Sequence, residues 1–161
     1  MKRLLLTLLL LTTPALHAAP FSAPPTEICQ WMQQDKFRGA LNYSANKSGL
    51  YRCTSLRRNI NRGEPPKSDV RFIAQGTQTA VTTVRLEMRM RSFRKPQQAL
   101  RKFREYAATL AATALSAELP EEAGRSLMSG TVGEWPVAGR IIKLERVQDR
   151  GNTYDYYFRI L

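Results

Sequence analysis

The charged side chains that could do chemistry are concentrated in one basic stretch, RMRSFRKPQQALRKFR, which runs from Arg89 to Arg104. It contains no acidic residue, although Glu87 and Glu105 stand just outside it. Guanidinium groups bind carboxylates and phosphates through paired hydrogen bonds, so the stretch predicts an anion-binding site. The commoner interpretation of such a run, a solvated surface, stays open. The cations concerned are Arg89, Arg91, Arg94, Lys95, Arg101, Lys102 and Arg104.

Pro96 predicts that a helix begins inside this stretch. Lys95 would then be the N-cap, and a lysine side chain has no acceptor for the free backbone N–H groups of the first turn. The last three cations of the stretch would lie in the first turns, where the helix dipole disfavours positive charge. A bound phosphate or carboxylate would correct both defects. On the solvated-surface interpretation, Arg101 instead pairs with Glu105 four residues later.

Side chains for catalysis are scarce. The single histidine, His17, lies in a segment that we expect to be removed on export, which excludes Ser-His-Asp and Cys-His catalysis and histidine metal sites from the mature chain. Ser92 and Lys95 match the S-x-x-K motif of penicillin-recognising enzymes, but the accompanying elements are missing or out of order. Acidic residues leave a carboxylate-dependent hydrolase formally open, yet nothing selects a pair. We therefore predict no enzyme, no cofactor and no metal site.

The first residues predict export. Lys2 and Arg3 precede an apolar run, and small residues follow up to a cleavage site expected after Ala18. The run is too short to span a bilayer as a helix. The prediction is thus a signal peptide over 1–18, a Pro-rich and disordered lead-in over 19–25, and a single α+β domain over 26–161, periplasmic or secreted by a bacterium, with no transmembrane segment after cleavage.

Two cysteines, Cys29 and Cys53, are present. In an exported chain, a sparse even pair is most simply one disulfide. The crosslink would stabilise the fold by roughly 3 to 3.5 kcal/mol on the chain-entropy model. A reactive or metal-binding pair would need a closer spacing or histidine partners.

The hydrophobic pattern predicts the elements that must position these residues. A short helix is expected from Thr26 to before Gly39, then three strands in a meander, a long helix from Pro96 to about Ser116, a short helix near 120–130 and a C-terminal hairpin. The predicted fold is α+β. An antiparallel sheet of about five strands is covered on one face by the long helix, and the disulfide ties the short N-terminal helix to it.

Alternation in two strands predicts which side chains face the core. In the third strand, one face is apolar and the other, which includes Arg85, Glu87 and Arg89, is expected to be wet and to pair across strands. In the last strand, Tyr157 is expected on the open face. The core positions are Ala80, Thr82, Val84, Leu86, Met88 and Met90 in the third strand, and Tyr154, Tyr156, Phe158 and Ile160 in the last.

The function we predict is that of an exported, non-catalytic binding module whose basic patch contacts an acidic protein or an anionic envelope polymer. The alternatives are a carboxylate-dependent hydrolase of envelope polymers and an exported protein with no specific ligand. Nucleic acid is disfavoured as a ligand because most tyrosines fall on core faces, which leaves no stacking platform. The sequence does not predict the oligomeric state.

Overall fold

A computed structural model describes residues 19–39, 42–60, 67–91, 96–148 and 153–161. Within them the chain forms three helices and one antiparallel sheet of eight strands. The helices are α1 (Pro25–Ile28), α2 (Pro96–Leu115) and α3 (Glu121–Ser129). The strands are β1 (Ser44–Ala45), β2 (Tyr51–Thr54), β3 (Arg58–Asn59), β4 (Asp69–Gly76), β5 (Val81–Met90), β6 (Gly133–Val137), β7 (Arg140–Gln148) and β8 (Tyr154–Ile160).

The strand order is β1-β2-β4-β5-β8-β7-β6, with β3 paired to β4 outside this path. The predicted α+β class, the antiparallel sheet and the C-terminal hairpin of β7 and β8 are therefore confirmed. The predicted number of about five strands was wrong. Two of the additional strands, β1 and β3, have only two residues each, too few to show a period, and β6 carries Pro136, which is typical of an edge strand.

The core lies on the face of the sheet that packs against α2. The alternation predicted for β5 is confirmed at Val84, Leu86, Met88 and Met90, all of which are buried in this core. The prediction that Ala80 and Thr82 are core positions was wrong: the register shifts between Gln75 and Gly76, both residues are partly exposed, and Val81 joins the core instead. A bulge of this kind changes the side to which the following residues point.

Helix α2 covers the core face because its apolar residues recur every three or four positions. The chain leaves it at Ser116, which has a positive φ of 51°. Helix α3 follows with two glutamates in its first turn, which complement the positive end of the helix dipole, and ends at Gly130 in the left-handed conformation. The buried residues of α2 are Ala99, Leu100, Phe103, Tyr106, Ala107, Leu110, Ala111 and Leu115.

The N-terminal segment packs onto the same core. The predicted disulfide joins Cys29 to Cys53 and is confirmed. Helix α1 is shorter than predicted, since the chain continues from Cys29 as turns rather than as a helix up to Gly39. The proline-rich lead-in is not disordered at Phe21, which is buried; its N–H donates a 2.8 Å hydrogen bond to the carbonyl of Val81.

Of the helices within the ranges given above, none has both the length and the apolar character needed to cross a membrane.

Candidate anion-binding site

The basic stretch is divided between two sides of the molecule. Arg89 and Arg91 lie at the end of β5 on the outer face of the sheet, by which we mean the face turned away from α2. Arg101, Lys102 and Arg104 lie on α2, which covers the opposite face. The remaining two predicted site residues, Arg94 and Lys95, lie outside the described residues, as do Ser92 and the predicted signal peptide.

The two arginines on the outer face are held by carboxylates. Arg89 donates two parallel hydrogen bonds to Asp69, from Nε to Oδ1 over 3.0 Å and from Nη2 to Oδ2 over 2.7 Å. This hydrogen bonding raises the pKa of Arg89 above its ordinary value. Arg91 Nη2 lies 3.4 Å from Oδ1 of Asp155. Both cations are thus paired within the protein, as expected for cross-strand neighbours.

Glu87 is the most enclosed charge on the outer face, and the prediction that its face is wet was wrong at this position. The residue is only 5% exposed. Arg71 Nη2 donates to both carboxylate oxygens over 2.7 and 2.9 Å, and Arg57 donates to Oε1. Burial raises the pKa of Glu87, but the hydrogen bonds and charges of Arg71 and Arg57 outweigh it and leave the pKa below its usual value.

The helical part of the stretch lines a cleft of about 500 Å³ between β3 and the first turns of α2. Arg101 and Lys102 come from the predicted site, and Arg58 comes from β3. Among the described residues of its lining there are thus three cations against the single acid Glu105. The complete lining in the described chain is Arg58, Asn59, Ile60, Gln98, Arg101, Lys102, Glu105 and Tyr106.

Arg101 is the available cation of this cleft. The expected pair of Arg101 with Glu105 does not form, because Lys102 Nζ lies 2.5 Å from Glu105 Oε2 and occupies the carboxylate. That hydrogen bond raises the pKa of Lys102. Arg101 is exposed and makes no hydrogen bond or ion pair with the residues that the structure describes. Its guanidinium can therefore bind an anion without first breaking an internal pair.

Tyr106 supports the two other cations. Its ring is buried on α2, packs edge-on against Phe37, and lies 5.5 Å from the Arg58 guanidinium and 5.0 Å from Lys102 Nζ. An aromatic face attracts cations at such distances. Burial raises the pKa of the Tyr106 hydroxyl, against the opposing influence of Arg58 and Lys102. The ring thus holds two positive groups from different elements beside one another.

The Arg104 side chain does not line the cleft but lies over α3. Gly124 has no side chain, and a Cβ at that position would come within 3.1 Å of Arg104 Nε. The close approach shows that the Arg104 side chain packs against the backbone of α3. Of the five predicted site residues that the structure describes, Arg101 and Lys102 line the cleft.

One comparison with known proteins identifies a family. The family of unknown function DUF6030 matches residues 14–146, which is most of the chain. The chain belongs to this family. No curated protein and no solved structure shows a significant match to it.

The DUF6030 match contains all of the cleft residues and ends within β7, before β8 begins. Among the cleft residues that sequence reasoning missed, Arg58 and Tyr106 matter most for its charge. Arg58 lies far from the basic stretch along the chain, and only the pairing of β3 with β4 brings it near α2. The place of Tyr106 was predictable, because it follows Lys102 by four residues and so lies on the same side of a helix.

Proposed function

We propose that this DUF6030 chain is an exported, non-catalytic binding module that contacts an acidic protein or an anionic envelope polymer through the cleft beside α2. The observation that supports this proposal best is the grouping of Arg58, Arg101 and Lys102 around one cleft whose described lining contains one carboxylate. This replaces the continuous patch expected from the sequence with a smaller site that combines β3 and α2.

The cleft suits an anion for three physical reasons. Arg101 offers a guanidinium with no partner among the described residues, and such a group binds carboxylate or phosphate oxygens in pairs. Gln98 adds a neutral donor in the first turn of α2. The formal net charge of +12 becomes +10 when Lys2 and Arg3 are removed with residues 1–18, and this charge draws anionic partners from a distance and makes the encounter sensitive to salt.

Two features support export. The disulfide between Cys29 and Cys53 is of the kind that persists in oxidising compartments, and the first eighteen residues have the composition of a signal peptide. The exported chain would then meet acidic surface proteins or charged envelope polymers in the periplasm or outside the cell.

Two features support a binding role over catalysis. The mature chain contains no histidine once residues 1–18 are removed. A carboxylate-dependent hydrolase needs two acids facing one bond, roughly 5 to 10 Å apart. The described lining of the cleft contains one acid, Glu105, and this acid is paired with Lys102. The described lining therefore lacks the second carboxylate that such a hydrolase needs.

Heparin chromatography tests this proposal. We expect the double variant R101Q/K102Q to elute at clearly lower salt than the parent protein, because both cations of α2 that line the cleft are removed. The matched control K47Q/R125Q removes the same charge from exposed positions outside the cleft and should elute close to the parent. Equal losses of retention in the two variants would show that overall charge, rather than the cleft, causes binding.

A further inference from the structure

A row of three cations crosses the outer face of the sheet. Arg85 on β5 stands opposite Arg159 on β8, and Arg159 stands opposite Lys143 on β7. Neighbouring strands lie about 4.8 Å apart, so the three side chains leave the sheet side by side. Like charges directly opposite one another destabilise a sheet unless something compensates them.

Carboxylates compensate part of this row. Lys143 pairs with Glu134 over 2.7 Å, and Arg159 pairs with Glu145 over 3.0 Å. Arg85 differs from both of them, since its nearest ion-pair contact is Glu87 Oε2 at 3.8 Å. That distance is too long for a hydrogen bond. Glu87 is in any case already occupied by the hydrogen bonds from Arg57 and Arg71.

Arg85 is an unusual arginine because it is largely enclosed and yet makes no hydrogen bond with the described residues. Its side chain is 19% exposed, and it donates no hydrogen bond to any residue in the described parts of the chain. The Nε atoms of Arg85, Arg71 and Arg159 are all shielded from solvent and lack an acceptor there. Partly buried donors without partners are rare in proteins and costly, so they call for an explanation.

The row of like charges points to an anion that would offset the repulsion between Arg85 and Arg159. Burial lowers the pKa of Arg85, and the charges of Arg159 and Arg71 lower it further, against the opposing effect of Glu87. Arg85 is thus a cation whose burial is only partly compensated by Glu87. Next to it, Arg159 and Lys143 form part of the wall of a groove of about 520 Å³ along β7, which gives a larger molecule room beside the row.

We propose that the outer face carries a second anion-binding site, centred on Arg85 and Arg159, that takes a single carboxylate or phosphate group of a ligand. The exposed nitrogens of the two neighbouring guanidinium groups bind the oxyanion, and Lys143 extends the positive row toward the groove. The site is separate from the cleft beside α2 and depends on none of its residues.

Titration with simple anions, followed by NMR of the arginine Nε–H groups, tests the site. Inorganic phosphate and acetate are the two probes, added at constant ionic strength with chloride as the reference. We expect saturable shifts of the Arg85 and Arg159 signals with at least one probe, and the tighter probe tells whether the site prefers phosphate or carboxylate. The absence of a saturable shift with both probes would overturn the proposal.

Variants make the test specific. R85Q should weaken anion binding at least tenfold. R85K retains the charge but loses the paired hydrogen-bond geometry, so it should weaken binding less. If R85Q does not fold, the affinity of R85K tests the site. R52Q removes an exposed arginine on β2 and should leave the affinity unchanged. R101Q/K102Q should also leave it unchanged, which separates this site from the cleft. Unaltered affinity in both R85Q and R85K would contradict the assignment.

Discussion

Replacing Glu87 with glutamine should destabilise the fold more than any other single acid-to-amide change on an ion pair of the outer face. The side chain is 5% exposed and accepts hydrogen bonds from Arg57 and Arg71, with Arg85 close by. Breaking a fully buried pair costs about 3 to 5 kcal/mol because the remaining charge is left uncompensated. These arginines are partly exposed, so we expect about 3 kcal/mol.

Urea denaturation of the parent and of E87Q at neutral pH measures this loss in the free energy of unfolding. E121Q is the matched control, since Glu121 pairs with Arg125 on the surface of α3, where such a pair contributes less than about 1 kcal/mol. A loss below about 1 kcal/mol in E87Q, or equal losses in both variants, would refute the argument that buried pairing on the outer face stabilises the sheet.

The same pair of proteins tests the pKa of Glu87. Because the folded-state pKa lies below the ordinary value of 4.5, ionised Glu87 stabilises the protein fully above that value, and the stabilisation is lost as the pH falls through the folded-state pKa. The stability difference between the parent and E87Q should thus be constant from pH 7 to about 5.5 and shrink at lower pH. If the stability difference between the parent and E87Q grew as the pH falls, the folded-state pKa of Glu87 would lie above its ordinary value, which would contradict the prediction.

Three other predictions concern the N-terminal region. Reduction of the bond between Cys29 and Cys53 should lower the free energy of unfolding by about 3 kcal/mol, seen as a fall in Tm of roughly 10 °C, and an unchanged Tm would contradict a stabilising role. F21A should cost about 3 kcal/mol, since Phe21 is buried and its ring meets Trp31 edge-on, whereas a negligible loss in urea denaturation would mean that the lead-in does not pack. Mass spectrometry of the exported protein should find a mature chain that begins at or near Ala19, and retention of residues 1–18 would refute the predicted cleavage.

The fold was predictable where the pattern was long. The ten residues of β5 and the twenty of α2 show their periods clearly, so the core positions from Val84 to Met90 and the covering helix followed from the sequence. Strands β1 and β3 are defined by hydrogen bonds to neighbours rather than by any pattern of their own, and the sequence could not indicate them. The bulge beside Gly76 likewise depends on pairing and moved Val81 into the core.

The candidate site was predictable only in part, because nearness in sequence is not nearness in space. The basic stretch crosses from a strand to a helix on the opposite side of the sheet, so Arg89 became a partner of Asp69 while Arg101 stayed available. The choice of Glu105 between Arg101 and Lys102 depends on side-chain geometry that spacing alone leaves undecided. Arg58 joined the site through strand pairing, which no local motif records.

The salt dependence of binding to a heparin oligosaccharide tests most directly whether the cleft beside α2 binds anions. Each cation that contacts an anionic group contributes to the slope of the logarithm of the binding constant against the logarithm of salt concentration, by roughly 0.7 to 0.9 in the well-characterised case of nucleic acids. We expect the slope for R101Q/K102Q to be shallower than that of the parent by more than one unit, and the slope for K47Q/R125Q to match the parent. Identical slopes for all three proteins would contradict a binding site in the cleft.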